Sequence, residues 1–207
     1  MSAPLGAILA GGQNRRYGAH KALATVAGEP IVERVRRALG SVLPDLVLVA
    51  NEPDVYAGVG LPMRPDVRPG AGVLGGILTA LCWAREQGRP GVLAVACDMP
   101  FLSSPLLRRL LAEAGRDPAP DVVAPASGSR RGVEPLCAYY GTACIGAIEA
   151  ELGRGEMHIV GFFDDVVVRT VPLEEVRAFG DPDMLFLNVN TPEERERAER
   201  LAAEAAP

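Results

Sequence analysis

Short apolar runs alternate along this chain with longer segments in which apolar positions recur every three or four residues. Leu5 to Ala10 is an unbroken apolar run that stops at Gly11 and Gly12, and similar runs recur at Leu46 to Ala50, Gly91 to Ala96 and Asp121 to Ala124. Unbroken runs of this length suit strands buried on both faces. Between them, Ile31, Val32, Val35 and Leu39 share one helical face, while Glu33, Arg34, Arg36 and Arg37 fall elsewhere. Gly72 to Gln87 and Ser103 to Ala114 read as two further helices, the latter capped by Ser103 or Ser104 with Pro105 in its first turn. Later in the chain the pattern loosens. Leu136 to Tyr140 and Val166 to Val171 are predicted strands, and Thr142 to Leu152 and Thr191 to Ala205 are predicted helices. Thr191-Pro192-Glu193-Glu194 combines a cap, a first-turn proline and early acids.

Strand followed by helix, repeated, predicts an α/β fold with a mainly parallel sheet covered on both faces. Right-handed crossovers would then gather the loops after the strands along one edge, where ligands of such sheets bind. The proline- and glycine-bearing segments 58–72 and 115–120 mark loops. No repeat or long linker divides the 207 residues, which predicts one domain over 1–207.

Composition narrows the function. A hydrophobic share of 48% against 23% charged residues is that of a chain with a proper core. A net charge of -5 argues against a general nucleic-acid binder, though local cations can still hold a small anion. Cys82, Cys97, Cys137 and Cys144 form no CxxC pair, and with only His20 and His158 available a zinc site is not expected. The cysteines read as small buried hydrophobes. The longest apolar stretch, Val73 to Ala84, is too short to span a bilayer and contains Gly75 and Gly76. Without a basic-then-apolar leader, the expectation is a cytoplasmic protein with no membrane partner.

Two segments could carry chemistry. The first runs Leu9-Ala-Gly-Gly-Gln-Asn-Arg-Arg-Tyr-Gly-Ala-His-Lys21. Glycines let backbone N–H groups approach phosphate oxygens, successive N–H groups can form an anion-binding nest, and Arg16 and Lys21 add charge suited to a triphosphate. It is not a Walker A loop, because Lys21 lies three residues beyond Gly18 and is followed by Ala22. The second is Cys97-Asp98-Met99-Pro100, where an acid released at the end of a buried strand could hold magnesium. Gly70 to Gly75 matches G-x-G-x-x-G, but Pro62, Pro65 and Pro69 interrupt the strand that a dinucleotide fingerprint requires before it. Asn51, Asp66, Asn188 and Asn190 each stand beside a strand end or a helix start; singly, each is a turn or cap residue. No nucleophile elbow or Ser/His/Asp set is present.

Taken in order, these residues resemble the molybdenum cofactor guanylyltransferase family. Its opening LAGGxSxRMGxxK pattern is met by Leu9 to Gly12, Arg16-Tyr17-Gly18 and Lys21, with Asn14 in place of serine and Tyr17 in place of methionine. Its D…PGxGPLAGI block is met by Asp66 and by Pro69 to Ile77, with Val73 for proline and Gly75 for alanine. CDMPFL stands intact as Cys97 to Leu102, and Glu134 to Tyr139 and Phe186 to Pro192 resemble its late motifs.

The resemblance implies a three-layer Rossmann-like fold with a mixed, mainly parallel sheet, and an enzyme that transfers GMP from GTP to molybdopterin. It implies that Leu9, Ala10, Gly11, Lys21, Asn51, Asp66 and Asp98 bind GTP, that Asp98 also binds magnesium, and that Arg16, Lys21 and Asp98 serve catalysis. Asn188 and Asn190 would lie on the pterin side or assist the metal. The amino-terminal half would mainly bind nucleotide and the carboxyl-terminal half mainly the acceptor. Molybdenum-insertion proteins and molybdoenzyme maturation chaperones would be downstream partners. Two alternatives stay open at this point: a related nucleotidyltransferase using CTP or a sugar-phosphate acceptor, and a non-catalytic GTP-binding adaptor.

Overall fold

The structure is a computed structural model and describes residues 2–10 and 24–204. The chain runs through β1 (Leu5–Leu9), β2 (Thr25–Val26), β3 (Glu29–Pro30), α1 (Ile31–Gly40), β4 (Leu46–Val49), α2 (Pro53–Tyr56) and β5 (Met63–Arg64). It continues through α3 (Gly72–Glu86), β6 (Gly91–Ala96), α4 (Ser104–Ala114), β7 (Val122–Pro125), β8 (Cys137–Gly141) and α5 (Cys144–Gly153). It closes with β9 (Val168–Val171), α6 (Leu173–Arg177), α7 (Pro182–Leu185) and α8 (Pro192–Glu204).

Seven strands form one sheet in the order β5-β4-β1-β6-β8-β7-β9. Six run in one direction; β8 runs against both neighbours. The mainly parallel sheet read from the apolar runs is therefore present, with one reversed strand. The strands bury both faces because two helical layers cover them. Ile8, Leu48, Leu93 and Val95 pack with Ile31, Val35 and Leu39 of α1 and Leu106, Leu107 and Leu110 of α4. Leu5, Ala7, Leu9, Val92 and Ala94 pack on the other face with Leu74, Ile77 and Leu81 of α3 and Ile145 and Ile148 of α5. Burying each such large apolar side chain contributes about 1.5–3 kcal/mol relative to exposure.

Details differ from the periodic reading at element ends. The helix predicted from Thr142 begins at Cys144, and the strand predicted from Val166 begins at Val168. Ser103 occupies the cap position of α4 but its side chain makes no capping bond, while the Ser104 hydroxyl turns back to Ser41 and the Ala38 carbonyl. The Thr191 start forms a reciprocal cap: Glu194 N–H donates to Thr191 Oγ1 at 3.2 Å, and the Glu194 carboxylate accepts from the Thr191 and Asn190 N–H groups. Cys97, Cys137 and Cys144 are buried, Cys82 is half-buried, and all four are free thiols. Among the described residues no helix is long and apolar enough to cross a membrane.

Candidate nucleotide and acceptor site

The carboxyl ends of β4, β1 and β6 lie side by side, which brings three predicted site segments to one edge of the sheet. Ala10 N–H donates to the Val49 carbonyl at 2.8 Å, and Cys97 N–H donates to the Leu9 carbonyl at 3.1 Å. Leu9 and Ala10 are thus clamped between the ends of the strands that precede Asn51 and Asp98. Gly11, Arg16 and Lys21, the rest of the predicted phosphate grip, lie outside the described residues.

Asn51 and Asp66 form a reciprocal pair. Asn51 Nδ2 donates to Asp66 Oδ2 at 2.8 Å, and Asp66 N–H donates to Asn51 Oδ1 at 2.8 Å. This leaves Asp66 Oδ1 shut off from solvent with no hydrogen-bond partner among the described residues. Such an atom costs free energy in the folded chain unless a ligand completes it. Thr79 was not singled out in the sequence, yet it fixes this corner. Its buried hydroxyl accepts from Val67 N–H at 2.9 Å and donates to the Gly75 carbonyl at 2.8 Å. A threonine back-bonding inside a helix carries no motif, so only the structure shows what it holds.

The glycine segment that mimics a dinucleotide fingerprint has a different role. Its nearest preceding strand is the two-residue β5, which ends at Arg64 and is separated from Gly70 by residues 65–69. Gly70 and Gly72 hold left-handed φ values of 84° and 59° to turn the chain into α3. Gly75 is needed for close approach: a Cβ there would stand 2.8 Å from Ala71 Cβ and 3.2 Å from the Arg68 carbonyl. The start of α3 therefore lies close under the loop that carries Asp66, and a Cβ on Gly76 would stand 3.7 Å from both Asp66 Oδ1 and the Leu9 side chain.

Asp98 follows β6, half-buried, and its carbonyl accepts from Val189 N–H at 3.0 Å. That bond brings the Asn188–Asn190 segment to Asp98. Asn188 Nδ2 caps the Phe186 carbonyl at 3.1 Å, and Asn190 contributes its backbone N–H to the α8 cap. Beneath Asp98, Tyr56 hydrogen-bonds with Cys97; burial foremost, then the neighbouring Cys97, pushes its phenol well above the usual range, so it stays neutral.

Glu134 is a further member of this edge. In the β6–β8 pairing Val95 faces Cys137, and Ala96 N–H donates to the Leu136 carbonyl at 2.9 Å. Three residues on in one strand and three back in the other bring Glu134 to the level of Asp98. Its carboxylate accepts from Leu136 N–H at 3.0 Å. Burial raises its pKa, the Asp98 charge adds to that, and Leu136 N–H and Arg131 oppose it.

The carboxyl oxygens fit magnesium. Asp98 and Asp66 each withdraw one oxygen from solvent. Among the described residues no cluster of three or more His, Cys, Asp or Glu forms a closed cage. Magnesium needs one or two carboxylates and completes its shell with phosphate and water, whereas a closed zinc site needs four ligands.

The MobA-like NTP transferase domain family matches residues 6–171 of this chain. A molybdenum cofactor guanylyltransferase from Desulfosudis oleivorans is 38% identical over 201 residues, covering 96% of each chain. A probable molybdenum cofactor guanylyltransferase from Pelotomaculum thermopropionicum is 36% identical, covering 95% of this chain and 92% of its own. The crystal structure of molybdopterin-guanine dinucleotide biosynthesis protein A from Archaeoglobus fulgidus superposes with a TM-score of 0.78 at 26% identity, covering 97% of this chain and 99% of that one. The edge described here, with Leu9 and Ala10 at a strand end, paired Asn51 and Asp66, and Asp98, is thus set in a chain that belongs to the MobA-like NTP transferases, among the molybdenum cofactor guanylyltransferases.

Proposed function

We propose that this chain transfers GMP from GTP to the terminal phosphate of molybdopterin, with release of pyrophosphate, and that residues 1–207 act as one nucleotidyltransferase domain. The observation that carries the reading is the convergence of Leu9-Ala10, the Asn51–Asp66 pair and Asp98 on three adjacent strand ends. The relatives' shared name supports the choice of nucleotide and acceptor.

In the reaction an oxygen of the acceptor phosphate forms a bond to the α-phosphorus of GTP. The bond from that phosphorus to the bridging oxygen breaks, and its electron pair leaves on pyrophosphate. No protein nucleophile takes part. The chain's work is alignment and charge compensation. Leu9, Ala10 and Gly11 bind the GTP, and Arg16 and Lys21 offset charge on the leaving pyrophosphate. Asp66 Oδ1, held in place by Asn51, accepts from N–H or O–H groups of the nucleoside. Asp98 holds magnesium together with GTP; when bound, the metal neutralises phosphate oxygens and polarises the α-phosphorus. The carboxyl-terminal half, including Asn188 and Asn190, faces the acceptor.

The test is to supply each of the four nucleoside triphosphates with magnesium and molybdopterin and to measure pyrophosphate. GTP is expected to be the productive donor. Turnover confined to CTP would overturn the guanine assignment, and tight GTP binding without turnover would make the chain an adaptor.

A further inference from the structure

Between β7 and β8 the chain forms a tip, Ser127-Gly-Ser-Arg-Arg-Gly132, that the reading above leaves without a role. β7 runs parallel to β9 and in the same direction as β6, so the tip rises from the edge that carries Asp98. It is a built structure. An Ala126–Val133 bridge closes its base, Ser127 N–H donates to the Gly132 carbonyl at 3.0 Å, and Gly132 N–H donates to Ser129 at 2.9 Å. The Ser127 and Ser129 hydroxyls lie 2.9 Å apart, and Ser129 Oγ donates to the Val133 carbonyl at 3.2 Å. Serine hydroxyls therefore tie the loop to itself, while Arg130 and Arg131 stand exposed at its end.

Neither guanidinium enters a salt bridge among the described residues. Several arginines elsewhere are held by carboxylates: Arg109, Arg116 and Arg169 share Glu113, Arg64 takes Glu86 and Arg89 takes Asp45. Two adjacent forked cations on a hydrogen-bonded tip, in no salt bridge among the described residues and with only the charge of Glu134 acting on Arg131, suit a phosphate monoester, which accepts several charge-assisted hydrogen bonds at once. Their place also fits the geometry of the transfer. The acceptor phosphate must reach the α-phosphorus from the side away from the leaving pyrophosphate. With the nucleotide segments on β1 and β4, the unused side of Asp98 is that of β8 and β7, where Glu134 stands between Asp98 and the tip.

We propose that Arg130 and Arg131 grip the terminal phosphate monoester of the acceptor, and so make the enzyme select an acceptor that carries one. This rests on the reading of the chain as a transferase to a phosphorylated acceptor. It assigns the tip to acceptor recognition and not to the triphosphate.

The test uses the full-length protein, wild type and Arg130→Ala/Arg131→Ala. Binding of molybdopterin, of dephosphorylated molybdopterin and of magnesium GTP is measured separately by equilibrium dialysis, with thermal unfolding as the check on folding. The expected result is a loss of molybdopterin affinity of about 10- to 100-fold in the variant, the range for charge-assisted hydrogen bonds. GTP affinity and unfolding temperature stay unchanged, and dephosphorylated molybdopterin binds both proteins equally weakly. Arg130→Lys/Arg131→Lys recovers part of the loss, because charge remains while the fork is gone. A variant that loses GTP affinity instead, or loses the same factor with the dephosphorylated ligand, overturns the proposal. The two readings fail separately. Phosphate-dependent binding that vanishes in the variant sustains the tip's role even if wild type forms no dinucleotide, and product formation by both proteins with equal acceptor KM removes the tip while leaving the enzyme intact.

Discussion

Two charged regions of this protein obey opposite rules. On α4, the carboxylate of Glu113 is buried yet surrounded: Arg109 reaches it from its own helix, Arg116 from just past the helix end, and Arg169 across from β9 at 3.4 Å. Arg109 is in turn shared with Glu175 at 2.8 Å. At the carboxyl edge of the sheet, Asp66 keeps a buried oxygen without a partner among the described residues, and Arg130 and Arg131 stand exposed, in no salt bridge among those residues. A charge cluster that only holds the fold is neutralised from within. A cluster that serves a ligand leaves part of its bonding capacity open, and the ligand completes it.

That contrast can be broken most severely at Glu113. Replacing it with alanine leaves three arginines facing one another, and the expected cost is about 3–5 kcal/mol, read as a lowered denaturant midpoint. The GTP-dependent activity of the molecules that remain folded should be unchanged. A large loss of activity at full stability would erase the distinction between the regions.

At the other cluster the order of effects reverses. Asp98→Ala should retain the unfolding temperature while turnover falls by about 10²–10³-fold, the range for removing one preorganised charge-stabilising group. Undiminished activity would remove Asp98 from the metal role. Asn51→Ala frees Asp66 from its clamp and should raise the KM for GTP by about tenfold, with kcat little changed, because hydrogen bonds to a charged group contribute about 1.5–3 kcal/mol. A change confined to kcat would mean that the pair serves the chemical step instead.

The finest test is pH. The Arg109 hydrogen bond, foremost, and the charges of Arg109, Arg116 and Arg169 hold the Glu113 pKa below its ordinary value. A carboxylate depressed on folding contributes stability that is present above its unfolded pKa of about 4.3 and is lost as pH falls through the folded value. The stability gap between wild type and Glu113→Gln should therefore be constant from about pH 8 to 5 and close below about pH 4. A gap that persists at lower pH would show that shape, not charge, holds the cluster.

Much of the fold was legible because buried strands and amphipathic helices leave separate periodic marks. Leu5 to Ala10 and Gly91 to Ala96 could be read as neighbours of a ligand edge before any coordinates. The direction of β8 was not legible from periodicity, which is blind to strand sense. One signal was available: only eleven residues separate Pro125 from Cys137, with no helical pattern, and a parallel return needs a crossover of about a dozen residues or more. The β2–β3 hairpin, two residues a side, is too short to leave a pattern. At the site, Asp98 was marked by its place after an apolar run. Glu134 entered only as part of a motif, because its partnership with Asp98 depends on the register between strands 40 residues apart. Thr79 left no mark in the sequence, since a helical threonine looks the same whether or not it props a loop.

The reversed strand has a further consequence. Because β8 runs against its neighbours, the site edge receives the tip of a hairpin whose two legs are both anchored in the sheet. Lengthening such a tip costs only about 0.6 kcal/mol of closure entropy per doubling. After β6 the chain has less freedom, since Asp98 is followed within a few residues by α4, which packs on the sheet. An insertion at this tip should therefore leave the β6–β8–β7 ladder intact and alter only what the tip can touch.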